Sequence, residues 1–112
     1  MSKRFRRFPH NFHDGQLTDF SIGPRREVSI HVRLDPVWNQ RQERTVIVRF
    51  GAIVNFENVA SFFERIQRPE DTDRAIDEVV GLVHVREKKD VVLLDLSHSG
   101  SVEIHSRNVT MV

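Results

Sequence analysis

A chain of 112 residues with no cysteine, 29% charged residues and a formal net charge of +1 reads as a single domain, long enough to bury roughly two-thirds of the surface it would expose unfolded. The missing cysteines exclude a disulfide framework and a thiolate metal site, and no apolar run approaches the roughly 20 residues of a membrane helix. The opening MSKRFRRF is basic with no apolar core behind it, which predicts a cytoplasmic, unexported protein with no membrane partner.

Residues 1–12 read as a basic tail ahead of a β-rich domain over 13–112. Lys3, Arg4, Arg6 and Arg7 alternate with Phe5 and Phe8. Cations for phosphates beside flat rings for bases make these six candidate nucleic-acid contacts, and the competing expectation is that the phenylalanines tuck against the core. Asp14-Gly15 is a turn dipeptide, after which Leu17, Phe20 and Ile22 predict a strand over about 16–22 with an irregularity near Asp19. Gly23-Pro24 ends it. Val28, Ile30, Val32 and Leu34 then share one parity over Glu27 to Asp35, a second strand that should form an antiparallel hairpin with the first.

Pro36 to Glu43 is polar apart from Val37 and Trp38 and reads as a loop. Trp38, the single tryptophan, either caps the core or stands out as an interface anchor. The longest alternating stretch runs from Thr45 to Glu57. Val46, Val48, Phe50, Ala52, Val54 and Phe56 share a parity and should line one buried face of a long central strand. The period then changes: Val59, Phe62, Phe63 and Ile66 fall on one helical face over about 58–67, with Asn58 as the expected N-cap. Pro69 and the acidic run Glu70, Asp71 and Asp73 end the helix in a surface loop.

Residues 73–85 fit either a helical or a strand spacing, and their β-branched run favours a strand from about Glu78 to Arg86. A charged turn over 87–90 leads to Val91–Leu96, apolar on both parities, and SHSG turns the chain into a last strand. Val102 and Ile104 alternate there, until a bend at Asn108 puts Val109 and Met111 on the opposite parity. The predicted fold is mainly β (α+β): a six-stranded antiparallel meander sheet or half-barrel with one short helix over an opening.

No catalytic motif and no cofactor signature is present. The chain has no G-x-S-x-G elbow and no glycine-rich phosphate loop. Six histidines invite a metal, but only His10, His13 and Asp14 are close in sequence, and their spacing is not that of a ligand set. Asp14 and Asp35 are the candidate carboxylate pair, and nothing in the sequence brings them together. On the polar parity of the second and central strands, His31, Arg33 and Arg49 make a cationic strip. Ile47 and Ile53 share that parity and suggest a covered face, hence a homodimer. Residues 1–50 carry ten Lys/Arg against five Asp/Glu and residues 51–112 seven against eleven, an asymmetry able to steer a partner.

His13, Asp14, Gly15 and Leu17 in an HDG-x-L opening, Phe50, Gly51, Asn55 and Phe56 in an F-G-x-x-x-N-F segment and the closing VEIHSRNV give the chain a resemblance over residues 12–110. It resembles small bacterial β-rich domains of unknown function, including immunity proteins of polymorphic toxin systems. The resemblance implies protein binding rather than catalysis. The expected function is a non-enzymatic interaction module that binds a protein partner or a second copy through a sheet face or edge, with Trp38, Arg33, Arg49 and His31 as contacts. The alternatives are a binder of nucleic acid or another anion through the basic tail and the same strip, and a small metal protein built on His10, His13 and Asp14.

Overall fold

The computed structural model describes residues 8–71 and 74–112. Its elements are β1 (Gly15–Gly23), β2 (Glu27–Leu34), β3 (Arg44–Ile53), α1 (Phe56–Glu64), β4 (Asp77–His84), β5 (Val91–Leu96) and β6 (Gly100–Met111). The clearest case of alternation is β2, where Val28, Ile30, Val32 and Leu34 are all buried while Ser29, His31 and Arg33 face outward. Each such aliphatic side chain removed from water contributes about 1.5–3 kcal/mol before entropy is counted. The expected irregularity in β1 is a register shift between Leu17 and Asp19.

All six strands are antiparallel, as the alternation and short connections predict, and they close into a barrel in the order β1-β2-β3-β6-β5-β4. Two three-stranded meanders are joined along β3 and β6 and closed by β1 against β4. That last seam is short: Gly15, Gln16 and Leu17 pair with Val79, Glu78 and Asp77.

β3 departs from its predicted pattern. Val46, Val48 and Phe50 are buried as expected, but Ala52 is exposed with φ 48°, Val54 is 57% exposed, and Ile53 is the buried residue instead. The partner strand makes the matching change. Ile104 and Ser106 face inward, Asn108 faces out and Val109 is half-buried. The register stays in step, with Phe50 opposite Val109, Gly51 opposite Asn108 and Ile53 opposite Ser106, so both strands invert together. The buried Ser106 hydroxyl donates to the Gly51 carbonyl at 2.6 Å across the inversion. The bend expected at Asn108 is the β6 half of this feature.

β3 ends at Ile53, not Glu57. Arg26 Nε donates to the Ile53 carbonyl and Nη2 to that of Val54, at 3.0 and 2.9 Å, while the Ile53 amide donates to the Arg26 carbonyl. The chain turns there, so α1 begins at Phe56 and the residue preceding it is Asn55 rather than Asn58. Asn55 makes no side-chain cap, because its amide bridges β6: Nδ2 donates to the Glu103 carbonyl and Oδ1 accepts the His105 amide. Val59, Ala60, Phe62 and Phe63 form the buried helical face, and Phe63 meets Phe20 at 5.2 Å between ring centroids. Past the helix, Arg68 reaches back to the β1 irregularity, bonding Asp19 Oδ1 at 2.6 Å and the Phe20 carbonyl at 2.5 Å with its guanidinium 4.1 Å over the Phe20 ring. The Arg68 hydrogen bond, against the burial that opposes it, holds the Asp19 carboxyl below its ordinary value. The helix and its return segment thus close one end of the barrel.

At the other end Phe12 and Phe8 are core residues, 2% and 7% exposed, packed edge to face. The packed domain therefore includes residues 8–12, which the sequence pattern assigned to the tail. Asp77 opens β4 as a buried carboxylate that accepts hydrogen bonds from Glu78 N, His98 N, Ser99 N and Ser99 Oγ at 2.6–3.1 Å. Burial pushes its carboxyl up, but these four donors outweigh burial and hold it below the ordinary carboxylate value.

Two outcomes follow from this packing. At Gly15 an added Cβ would lie 2.9 Å from the Phe12 carbonyl and 3.3 Å from that of Arg33, whereas at Gly81 it would meet nothing within 4 Å. Gly15→Ala should therefore destabilise by about 1–3 kcal/mol and Gly81→Ala by less than about 0.5 kcal/mol, measured by urea unfolding. Asp77→Asn should cost about 2 kcal/mol near neutral pH, because it sets an amide donor against the Ser99 donors. A carboxyl lowered on folding stabilises above its unfolded pKa of about 4 and loses that contribution as pH falls through the folded value. The gap between wild type and Asp77→Asn should accordingly close on acidification below about pH 4.

Candidate functional site

The end of the barrel away from α1 is open because two strands outrun their neighbours. β4 continues from Val79 to His84 beyond its last β1 partner. β6 continues to Met111 on β3 after its β5 pairing stops at His105. The β4–β5 hairpin therefore reaches past β1, with His13 on the Val80 carbonyl and Phe8 on the His84 ring, and past the end of its own pairing with β6. A groove of about 2050 Å³ opens between them, floored by Phe12, Leu34, Leu82 and Val92.

Trp38 stands at the lip of this groove, 49% exposed. Its indole N–H donates to Asp14 Oδ2 at 3.0 Å, and its ring meets His13 edge to face at 5.3 Å. His13 is itself placed by Nδ1, which donates to the Val80 carbonyl at 2.9 Å; a carbonyl only accepts, so this nitrogen carries the hydrogen. The loop bearing Trp38 is pinned at both ends. Asp35 Oδ1 accepts the Val37 amide, and the Asn39 side chain accepts the Asn11 amide at Oδ1 and donates from Nδ2 to the Asn11 carbonyl, across 28 residues of sequence. Asp14 adopts φ 60° in the turn that Gly15 N closes onto the Phe12 carbonyl, a conformation Asp tolerates better than most residues.

The groove is charged unevenly. Arg44, Arg86, Lys88, Lys89 and Arg107 line it against Glu87 and Asp90. Exposed Val80 and Val83, at 42% and 55%, add apolar surface along β4. His84 stacks on Phe8 at 4.6 Å, and its Nε2 is buried without a partner among the described residues. Burial holds His84 below the ordinary histidine value, opposed by the Asp90 carboxylate. His10 is likewise lowered, by burial first and then by Arg44. Both shifts favour the neutral ring.

The residues singled out from the sequence are distributed differently. His31, Arg33 and Arg49 do share the outer face of the β2–β3 pair, opposite Ile47, Thr45 and Ser29 respectively. Arg33 and Arg49 are about 13 Å apart at roughly 3.3 Å per residue, and the Arg33 guanidinium is hydrogen-bonded to the Gln16 side chain. None of the three lines the groove, whereas Trp38 does. Ile53, assigned to that outer face, points into the core because of the β3 inversion.

Of the candidate nucleic-acid contacts, Lys3, Arg4, Phe5, Arg6 and Arg7 lie outside the described residues. Phe8 is buried and is not offered to a base. Among the described residues no three His, Asp or Glu side chains converge as a metal site. Asp14 and Asp35, which nothing in the sequence connects, line one shallow hollow with Asp77, and both of them hold the Trp38 loop. The groove itself had no signal in local sequence: its cations come from two strands, β3 and β6, and the β4–β5 hairpin turn, which only the topology assembles.

No protein-family model, curated protein or solved structure matches the chain. The class that the coordinates define is a six-stranded antiparallel barrel closed at one end by a helix and open at the other beside a fixed, exposed tryptophan.

Asp14→Gly removes the carboxylate while suiting the positive φ. It should leave the fold intact but free the indole, seen as faster local depolarisation and stronger acrylamide quenching of Trp38 fluorescence. Unchanged quenching would show that the loop alone fixes the ring.

Proposed function

We propose that this protein is a non-enzymatic interaction module that grips a protein partner at the open barrel mouth, with Trp38 as the anchor. The observation that carries this reading is that Trp38 is half exposed yet held by Asp14 and His13. A large aromatic ring fixed before binding loses little freedom on association, and Trp is over-represented among the residues that dominate binding energy. The groove beside it, at about 2050 Å³ and open, exceeds the roughly 300–1,000 Å³ of small-molecule pockets and suits part of a macromolecule. The resemblance to immunity-like domains points the same way.

Affinity capture from host lysate with wild type, Trp38→Ala and Arg33→Ala/Arg49→Ala as baits tests this. Loss of an anchor of about 2 kcal/mol corresponds to roughly 30-fold weaker binding, so Trp38→Ala should lose the captured protein at high salt while the double arginine variant keeps it. Equal capture by the tryptophan variant overturns the proposal. Sedimentation of the protein alone identifies a second copy as the partner if a dimer forms and Trp38→Ala abolishes it.

A further inference from the structure

We infer that the mouth takes a protein surface of two halves, an apolar half seated on Trp38 and Val80 and an acidic half seated on the cations around the β4–β5 turn; this rests on the mouth being the binding surface. Trp38 and Val80 share one end of the groove because His13 touches both. Its ring centroid lies 5.3 Å from that of Trp38, and its Nδ1 lies 2.9 Å from the Val80 carbonyl. Trp38 and Val80 are exposed, at 49% and 42%. Farther along β4, Val83 is also exposed and continues the apolar surface toward the turn.

The turn cations lie at the other end. Arg86 follows Val80 by six residues, and at roughly 3.3 Å per residue, less the one taken up by the β4 bulge, the two backbones are about 15–20 Å apart. Arg107 belongs to the same end, since the Ser106 amide donates to the Asp90 carbonyl and sets the next residue of β6 beside the turn. Arg86, Lys89 and Arg107 are exposed and line the groove. Among the described residues none of the three has a hydrogen-bond or ion-pair partner, whereas Lys88 meets Glu103 at 3.5 Å. Glu87 is the exposed carboxylate of this turn, and Asp90 is half-buried with its charge acting on His84. Three exposed cations against one exposed carboxylate leave this end positive, which steers the approach of carboxylates.

A nucleic acid does not match this arrangement. It carries a phosphate at every residue, and laid along the mouth it would bring phosphates to the Trp38 end, where the Asp14 carboxylate holds the indole N–H at 3.0 Å. Bases also need exposed rings to stack on, and Phe8 and Phe12 in the groove lining are buried. A protein surface can confine its carboxylates to one half and its apolar side chains to the other, so the mouth selects by their separation as well as by charge.

The probe is a capped twelve-residue peptide with Leu and Val in one half and Glu in the other, and binding is read by titration calorimetry. A peptide of the same composition with the two kinds of residue alternating, a Lys counterpart and a twelve-residue oligothymidine are the controls. The two-half peptide should bind saturably and weaken at least about tenfold in Trp38→Ala and in Lys89→Glu/Arg107→Glu. The alternating peptide should bind more weakly and the Lys counterpart not at all. Weakening in Trp38→Ala with no change in the charge variant would overturn the acidic half and leave the mouth reading standing. Weakening in the charge variant with no change in Trp38→Ala would overturn the apolar half and remove Trp38 as the anchor. Equal binding of the two acidic peptides would overturn the division into halves. Binding of oligothymidine but not of the two-half peptide, or of neither, would overturn the inference.

Discussion

Everything distinctive in this molecule follows from how little of β1 meets β4. A six-stranded barrel must close, and here closure rests on three residue pairs, Gly15 to Leu17 against Val79 to Asp77. With so short a seam the two strands are strongly offset, and each leaves a length of edge beyond the other. Past Leu17, the β1 edge is met by the return segment after α1, through Arg68 on Asp19 and the Ile76 amide on the Leu17 carbonyl. Past Val79, the N-terminal segment reaches β4 through His13 on the Val80 carbonyl and Phe8 on the His84 ring, beside the groove. One offset thus yields a sealed end and an open end, and the crowding of Gly15 between the Phe12 and Arg33 carbonyls fixes where the seam stops.

The carboxylates explain why the open end remains cationic. Asp77 accepts three hydrogen bonds from the β5–β6 turn, Asp19 holds Arg68, and Asp14 and Asp35 hold the Trp38 loop. These acids stabilise turns and seams away from the hairpin cations. The hairpin itself carries Glu87 and Asp90, and Lys88 meets Glu103 at 3.5 Å, an exposed pair of the kind that contributes less than about 1 kcal/mol. The asymmetry between the two halves of the sequence was legible as counting. Its arrangement by face depended on Arg107, in the acidic half, and Arg44, in the basic half, lining one groove with the hairpin cations.

Local periodicity carried the strands and the helix. β2, β5, the buried face of α1 and the irregularity near Asp19 follow from spacing that no tertiary contact overrides. The inversion in β3 was not legible, since Ala52, Ile53 and Val54 are apolar on both parities and only the matching change in β6 decides which one is buried. Asn55 was a poor signal for the helix start for a related reason: its amide serves a strand nearly 50 residues away. The site was less legible still. The Trp38–Asp14 bond spans 24 residues and the His13–Val80 bond 67, so the sequence could nominate Trp38 as an anchor but not the surface to which it belongs.

The hairpin cations have a consequence of their own. Natural sheets keep their edges from one another with lysine and other charge, and Arg86, Lys88 and Lys89 follow directly on β4. Two copies meeting hairpin to hairpin would set these like charges together, which opposes self-association there. Trp38 offers its ring without adding flexibility, because Asp14 and His13 orient it. Affinity at a mouth of this kind is governed by the match of a partner to preformed charge and ring, rather than by the area it covers.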